Sequence, residues 1–171
     1  MNPVWSILNK MKRIRNASLK DLEQVTEVEA VCFPVAEAAD GETFRARLTA
    51  FPGHFLVMEE ESKIIGFING MVTDQESITD EMFGNAGLHR ESGRWQSVFG
   101  LDVLPEYRRC GLAGQLMNSF IEAARQEGRS GCILTCKDRL IPYYEKFGYR
   151  KTGLSASVHG GAVWYDMKLE F

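Results

Sequence analysis

The chain has 171 residues, of which 44% are hydrophobic and 25% charged, with a formal net charge of −3. This is the composition of a globular domain large enough to bury a sizeable core. Slight acidity argues against a nucleic-acid-binding surface, and no apolar run is long enough to cross a bilayer.

Met1 to Lys12 carries an apolar patch (Val4, Trp5, Ile7, Leu8) with its basic residues after it, the reverse of a secretory signal. Residues 1–10 read as an N-terminal extension and 11–171 as one domain, with Met11 an alternative start to Met1. Arg13 to Asn16 reads as a first strand. Ser18 and Asp21 fit an N-cap pattern for a helix in which Leu22, Val25, Val28 and Glu29 carry a mostly apolar face toward Cys32, and Pro34 breaks it. Glu42 to Phe51 reads as a second helix, stopped by Pro52-Gly53. His54–Glu59 and Ile64–Val72 read as two strands joined at Glu60-Glu61-Ser62-Lys63, a hairpin. Thr73 to Gly93 is long and polar, with helical character around Ile78 to Leu88, and reads as a surface excursion or as a loop on the substrate side.

Trp95 to Leu104 reads as the central strand and Leu112 to Glu127 as the helix after it. Leu112, Leu116, Phe120 and Ala124 are spaced by four, so they form one apolar stripe. Ile133 to Asp138 reads as another buried strand. Leu140 to Tyr149 reads as a short helix stopped by glycine. Strands near Arg150–Ser157 and Ala162–Leu169 close the domain. The layout is mixed α/β, a mostly antiparallel sheet with helices on both faces.

The four cysteines, Cys32, Cys110, Cys132 and Cys136, show no C-x-x-C and no zinc spacing. They read as reduced, mostly buried thiols of a cytoplasmic protein, and no metal site is expected.

The most informative stretch is Val98 to Gly114, VFGLDVLPEYRRCGLAG. A strand ends at Pro105, and Arg108-Arg109-Cys110-Gly111-Leu112-Ala113-Gly114 leads into a helix. The first N–H groups of a helix lack intrahelical partners and suit an anion, and small residues let phosphate reach them. There is no Walker lysine and no G-x-G-x-x-G after a strand.

The words R-x-x-G-x-A (Arg108 to Ala113), ILTCKD and IPYYEKFGY carry a resemblance. The first is similar to the acyl-CoA pyrophosphate loop of the GNAT superfamily of N-acetyltransferases. The other two look like its arylalkylamine branch, which includes the serotonin N-acetyltransferases. The resemblance is strongest from Val98 to Gly153 and weaker from Arg13 to Gly70.

That resemblance implies the GNAT fold and acetyl-CoA as cosubstrate. Arg108, Arg109, Cys110, Gly111, Leu112, Ala113 and Gly114 would hold its pyrophosphate. The pantetheine arm would lie along the edge of Leu101, Asp102 and Val103, where a break in strand pairing frees backbone N–H groups to polarise the thioester. Tyr144 matches the family's general acid, and Tyr143 reads as packing. Ser97 and Phe99 stand where the vertebrate enzymes have two histidines. Phe99 cannot titrate, and Ser97 could only hold a water. His159, in a Gly-flanked turn, is the best histidine candidate for the base, and a water chain ending on Glu37 is equally admissible. Phe33 and Pro34 match the region covering the amine, with Phe99, Met71 and Trp164 as further aromatic or apolar walls. Acidic residues in Glu59–Glu61, Asp74, Glu76, Asp80 and Glu81 would suit a polyamine if they faced the pocket. The expected function is acetyl transfer to a small primary amine. Peptide acetylation and non-catalytic acetyl-CoA binding are the alternatives, and the oligomeric state is not readable.

Overall fold

The structure, a computed structural model, describes residues 10–171. Most of the expected N-terminal extension lies outside the described residues. Strand β1 (Lys12–Asn16) is followed by helices α1 (Leu22–Cys32) and α2 (Gly41–Ala50). Strands β2 (Phe55–Glu60) and β3 (Lys63–Asn69) come next, then the two-residue β4 (Val72–Thr73) and the short helix α3 (Asp80–Gly84). Strands β5 (Trp95–Val98) and β6 (Gly100–Val103) precede helix α4 (Leu112–Gln126) and strand β7 (Gly131–Cys136). Helix α5 (Ile141–Glu145) and strands β8 (Arg150–Leu154) and β9 (Tyr165–Glu170) complete the chain.

The strands form a four-stranded sheet, β1-β2-β3-β6, and a five-stranded sheet, β4-β5-β7-β9-β8. Among the described residues every pairing is antiparallel except β5 with β7. The β2–β3 hairpin turns on Glu61 and Ser62, whose φ values of 48° and 70° match the twist of the strands. The expected strand to Val72 ends earlier, at Asn69. Here the chain crosses to the second sheet through Gly70, where a Cβ would lie 1.9 Å from the Ser97 carbonyl oxygen. Only glycine permits that approach.

The apolar stripe of α4 is buried as expected, with Leu112, Leu116, Phe120 and Ala124 all at or below 5% exposure. Helices α1 and α4 both pack on β3 and β6, and Leu116 reaches Gly66 on β3. The helix ends at Gln126, and the chain turns away just past it at Gly128, whose φ is +77°.

The central strand is two strands. β5 runs beside β7 from Trp95↔Gly131 to Val98↔Leu134 and no further. At Phe99 the N–H turns to the Asn69 carbonyl at 2.7 Å, and Gly100–Val103 then pairs with β3 alone. Beyond Val98 the sheet therefore splits into a wedge, with β6 on one arm and the end of β7 on the other.

Candidate active site

The wedge leads into a cavity of about 440 Å³. Val98, Phe99, Gly100 and Leu101 line one arm, and Leu134, Thr135 and Cys136 the other. Phe33, Arg47, Phe83 and Trp164 are among the side chains that close it.

The open edge of β6 follows from ladder geometry. Leu104 donates its N–H to Ile65 on β3 at 2.9 Å. In an antiparallel ladder alternate residues face the partner, so the peptides of Leu101 and Val103 face the wedge. Asp102 is placed differently from expectation. Its peptide faces β3, and its carboxyl is buried at 1% exposure. The break in pairing sits at Phe99, two residues before the expected Leu101.

After β6 the chain turns at Pro105–Tyr107 and enters the loop before α4. Arg109 and Gly111 both adopt left-handed backbone, φ 64° and 76°. Such residues curl successive N–H groups toward one side, and a non-glycine held there marks a constrained segment. The first helical bond is Gln115 N–H to Gly111 O at 3.1 Å, which leaves the amides of Leu112, Ala113 and Gly114 without intrahelical partners. Arg109, Cys110 and Gly111 are exposed. Arg108 turns back, and its Nε donates to the Val103 carbonyl at 2.9 Å.

Tyr144 on α5 lines the cavity beside Cys136. Its ring meets Tyr143 and Tyr149 edge-on at 5.2 and 6.1 Å. Burial pushes the phenol well above its ordinary value, so it keeps its proton at neutral pH. Tyr143 packs on Phe147 at 5.3 Å. Burial pushes the Cys136 thiol up to about 11, which leaves it protonated and a poor nucleophile.

Three candidates for the base are placed outside that role or only partly in it. Ser97 is fully buried and absent from the cavity wall, and its hydroxyl donates to the Met71 carbonyl at 2.6 Å. The irregular step at Phe99 breaks the two-residue alternation, so Ser97 and Phe99 do not share a surface. Met71 is likewise buried away from the cavity, in a second apolar cluster. His159 does line the cavity, stacked on Phe83 at 5.0 Å, but its Nε2 is bonded to the Glu37 carbonyl at 2.9 Å. Glu37 is paired with Lys137 at 2.6 Å. Phe33 lines the cavity and Pro34 does not.

Of the acidic residues expected to suit a polyamine, only Asp80 reaches the wall. Glu59 pairs with Arg13 and Arg15, and Glu60 with Lys12. The acids that do line it are Glu29, Glu37, Asp40 and Asp80, three of them not in the expected cluster. Sequence reasoning also missed Arg47, which is 4% exposed, bonded to Asn69 Oδ1 at 3.0 Å and set 4.8 Å from the Phe99 ring. Burial lowers its pKa to about 10.

Away from the cavity, His54, His89 and Glu91 come together. His54 Nε2 lies 2.8 Å and His89 Nε2 2.7 Å from Glu91 Oε2. Val72 donates its N–H to His89 Nδ1 at 3.0 Å, so the His89 proton sits on Nε2 and is given to Glu91. A metal ion on that nitrogen would have to displace this proton.

A model of the acetyltransferase (GNAT) family matches residues 20–149. The chain belongs to the GNAT acetyltransferase family. The serotonin N-acetyltransferase of Mesocricetus auratus is 30% identical over 122 residues, covering 71% of this chain and 58% of that protein. The match thus spans less than two thirds of that relative's length. The loading GNATL domain of CurA from Lyngbya majuscula superposes with a TM-score of 0.82 at 17% identity, covering 94% of this chain and 98% of that one. The GphF GNAT-like decarboxylase, solved with isobutyryl-CoA, gives 0.76 at 21% identity, covering 92% and 98%. Likenesses at that identity show the GNAT fold and no more.

Proposed function

We propose that this GNAT protein transfers the acetyl group of acetyl-CoA directly to a small primary amine of arylalkylamine type. The observation that carries the reading is one cavity that joins an open strand edge to a protonated tyrosine. Leu101 and the Val103 N–H offer backbone groups on that edge, and Tyr144 stands on the cavity wall.

Acetyl-CoA supplies an activated acyl thioester. The loop from Arg109 to Gly114 would bind its pyrophosphate through backbone N–H groups, each charge-assisted bond worth about 1.5–3 kcal/mol. The Leu101 and Val103 peptides would orient the pantetheine arm as a further strand, and the freed N–H groups would polarise the thioester carbonyl. Tyr144 would give its hydroxyl proton to the sulfur as the carbon–sulfur bond breaks, and the second proton shed by the acylated nitrogen would restore the phenol. Phe33, Phe83, Phe99 and Trp164 make an aromatic wall for the amine's hydrophobic part.

A small amine is favoured over a peptide because the loops around the cavity are tied to one another. Asp80 accepts hydrogen bonds from the Ser157 hydroxyl and, at 3.1 Å, from the Val158 N–H. His159 reaches Glu37 in the loop after α1. An extended peptide would need these ties broken. The acidic lining gives a polyamine a second claim on the site.

The test is product identification after incubation with acetyl-CoA and, separately, tryptamine, phenethylamine, spermidine and a histone-tail peptide. Preferred acetylation of the aromatic amines supports the reading. Preference for spermidine or the peptide overturns the substrate class.

A further inference from the structure

Glu29 on the cavity wall, with Asp102 and Asn69 buried close to it, is left without a role by Tyr144. Glu29, on the buried face of α1, is 6% exposed and lines the cavity. Its Oε2 accepts the Ala39 N–H at 2.9 Å. Its Oε1 has no donor among the described residues. Asp102, from β6, has no donor on either carboxyl oxygen, and the Asn69 Nδ2 has no acceptor, again among the described residues.

These groups converge on one point. A Cβ built on Gly100 would lie 3.2 Å from Asp102 Oδ1, 3.5 Å from Asn69 Nδ2 and 3.8 Å from Glu29 Oε1. Glycine leaves the point open, and Gly100 is itself a wall of the cavity. Burying polar atoms without partners is costly, and Glu29, the one of these groups on the cavity wall, is open to a donor that enters the cavity.

Two carboxyls this close do not both ionise. Burial, with the Glu29 charge second, pushes Asp102 well above the usual carboxylate range, against the pull of Arg47. Asp102 therefore holds a proton, and Glu29 is the member of the pair on the cavity wall.

We infer that Glu29 is the base this site uses in place of the missing histidines: it anchors the incoming ammonium and takes its proton. This rests on the acetyl-transfer reading above. An N–H bond of the ammonium breaks and an O–H bond forms on the carboxylate. The amine keeps the freed electron pair for attack on the thioester carbonyl. The proton on Glu29 passes to solvent when the acetylated product leaves. Asp102, held protonated behind it, and Asn69 fix the carboxylate's place. The charged or titratable groups facing the pair are Cys32 from α1, Arg47 from α2 and Tyr144 from α5.

Glu29→Gln keeps the shape and the acceptor for Ala39. It is expected to lower kcat/KM for the amine about a hundredfold, to remove the acid limb of the pH profile, and to leave acetyl-CoA affinity within about twofold. Glu29→Asp is expected to recover part of the loss. Asp102→Asn replaces a neutral group by a neutral group and is expected to keep both the fold and the acid limb. If Glu29→Gln does not fold, Glu29→Asp decides. Unchanged turnover in Glu29→Gln, or undiminished turnover in Glu29→Asp, overturns the inference while acetyl transfer stands. Absence of transfer by the parent protein to any amine overturns both.

Discussion

The Nε–H of Arg108 donates to the Val103 carbonyl at 2.9 Å, tying the loop before α4 to the open edge of β6. Two segments proposed to hold different parts of one cosubstrate are thus fixed to each other. Arg108→Ala is expected to raise the Kd for acetyl-CoA about tenfold, near the loss of one charge-assisted hydrogen bond. Isothermal titration measures it, and an unchanged Kd would show that the tie is structural only.

Tyr144→Phe removes the proton donor and keeps the ring packed on Tyr143 and Tyr149. The expected result is a fall in kcat of about a hundredfold with acetyl-CoA binding intact. Full turnover across the pH range would remove Tyr144 from the general-acid role.

His89 links pH to stability. Burial holds its pKa below the ordinary 6.5, and its Nδ1 must stay unprotonated to accept the Val72 N–H. The folded chain therefore binds this proton less readily than the unfolded chain. The contribution is full above pH 6.5 and is lost as pH falls toward the folded-state pKa. His54, Glu91 and Arg129 are its titratable neighbours, and Glu91 works in the opposite direction. Melting temperature is expected to drop from pH 6.5 to about 5, and to drop less in His89→Asn, which keeps an acceptor near the Val72 N–H. Parallel profiles for the two proteins would refute the assignment.

Gly70 is where the chain changes sheets. A methyl there would meet the Ser97 carbonyl oxygen at 1.9 Å. Gly70→Ala is expected to cost more than about 2 kcal/mol of stability, read by urea denaturation.

The elements set by local periodicity were legible in the sequence. Helix α4 announced itself through Leu112, Leu116, Phe120 and Ala124, and the loop before it through Gly111 and its neighbours. The split at Phe99 was not legible from local pattern. Val98 to Leu104 reads as one apolar run, and only competition between β3 and β7 for its peptides divides it. That division is why Ser97, placed by resemblance, sits in the core. Glu29 did leave a signal: a carboxylate among Leu22, Val25 and Val28 on a buried helical face needs a partner or a task. Asp102, which supplies the partner, is far away in sequence, so the pairing emerges only in the fold.

The central claim is that the wedge between β6 and β7 brings a thioester to an amine. The most direct measurement is the rate of CoA thiol release from acetyl-CoA with and without phenethylamine. Amine-dependent release, with one acetylated amine formed per thiol, is the result expected here. Tight binding of acetyl-CoA with no amine-dependent release would contradict it and leave the chain a binding module on the GNAT fold.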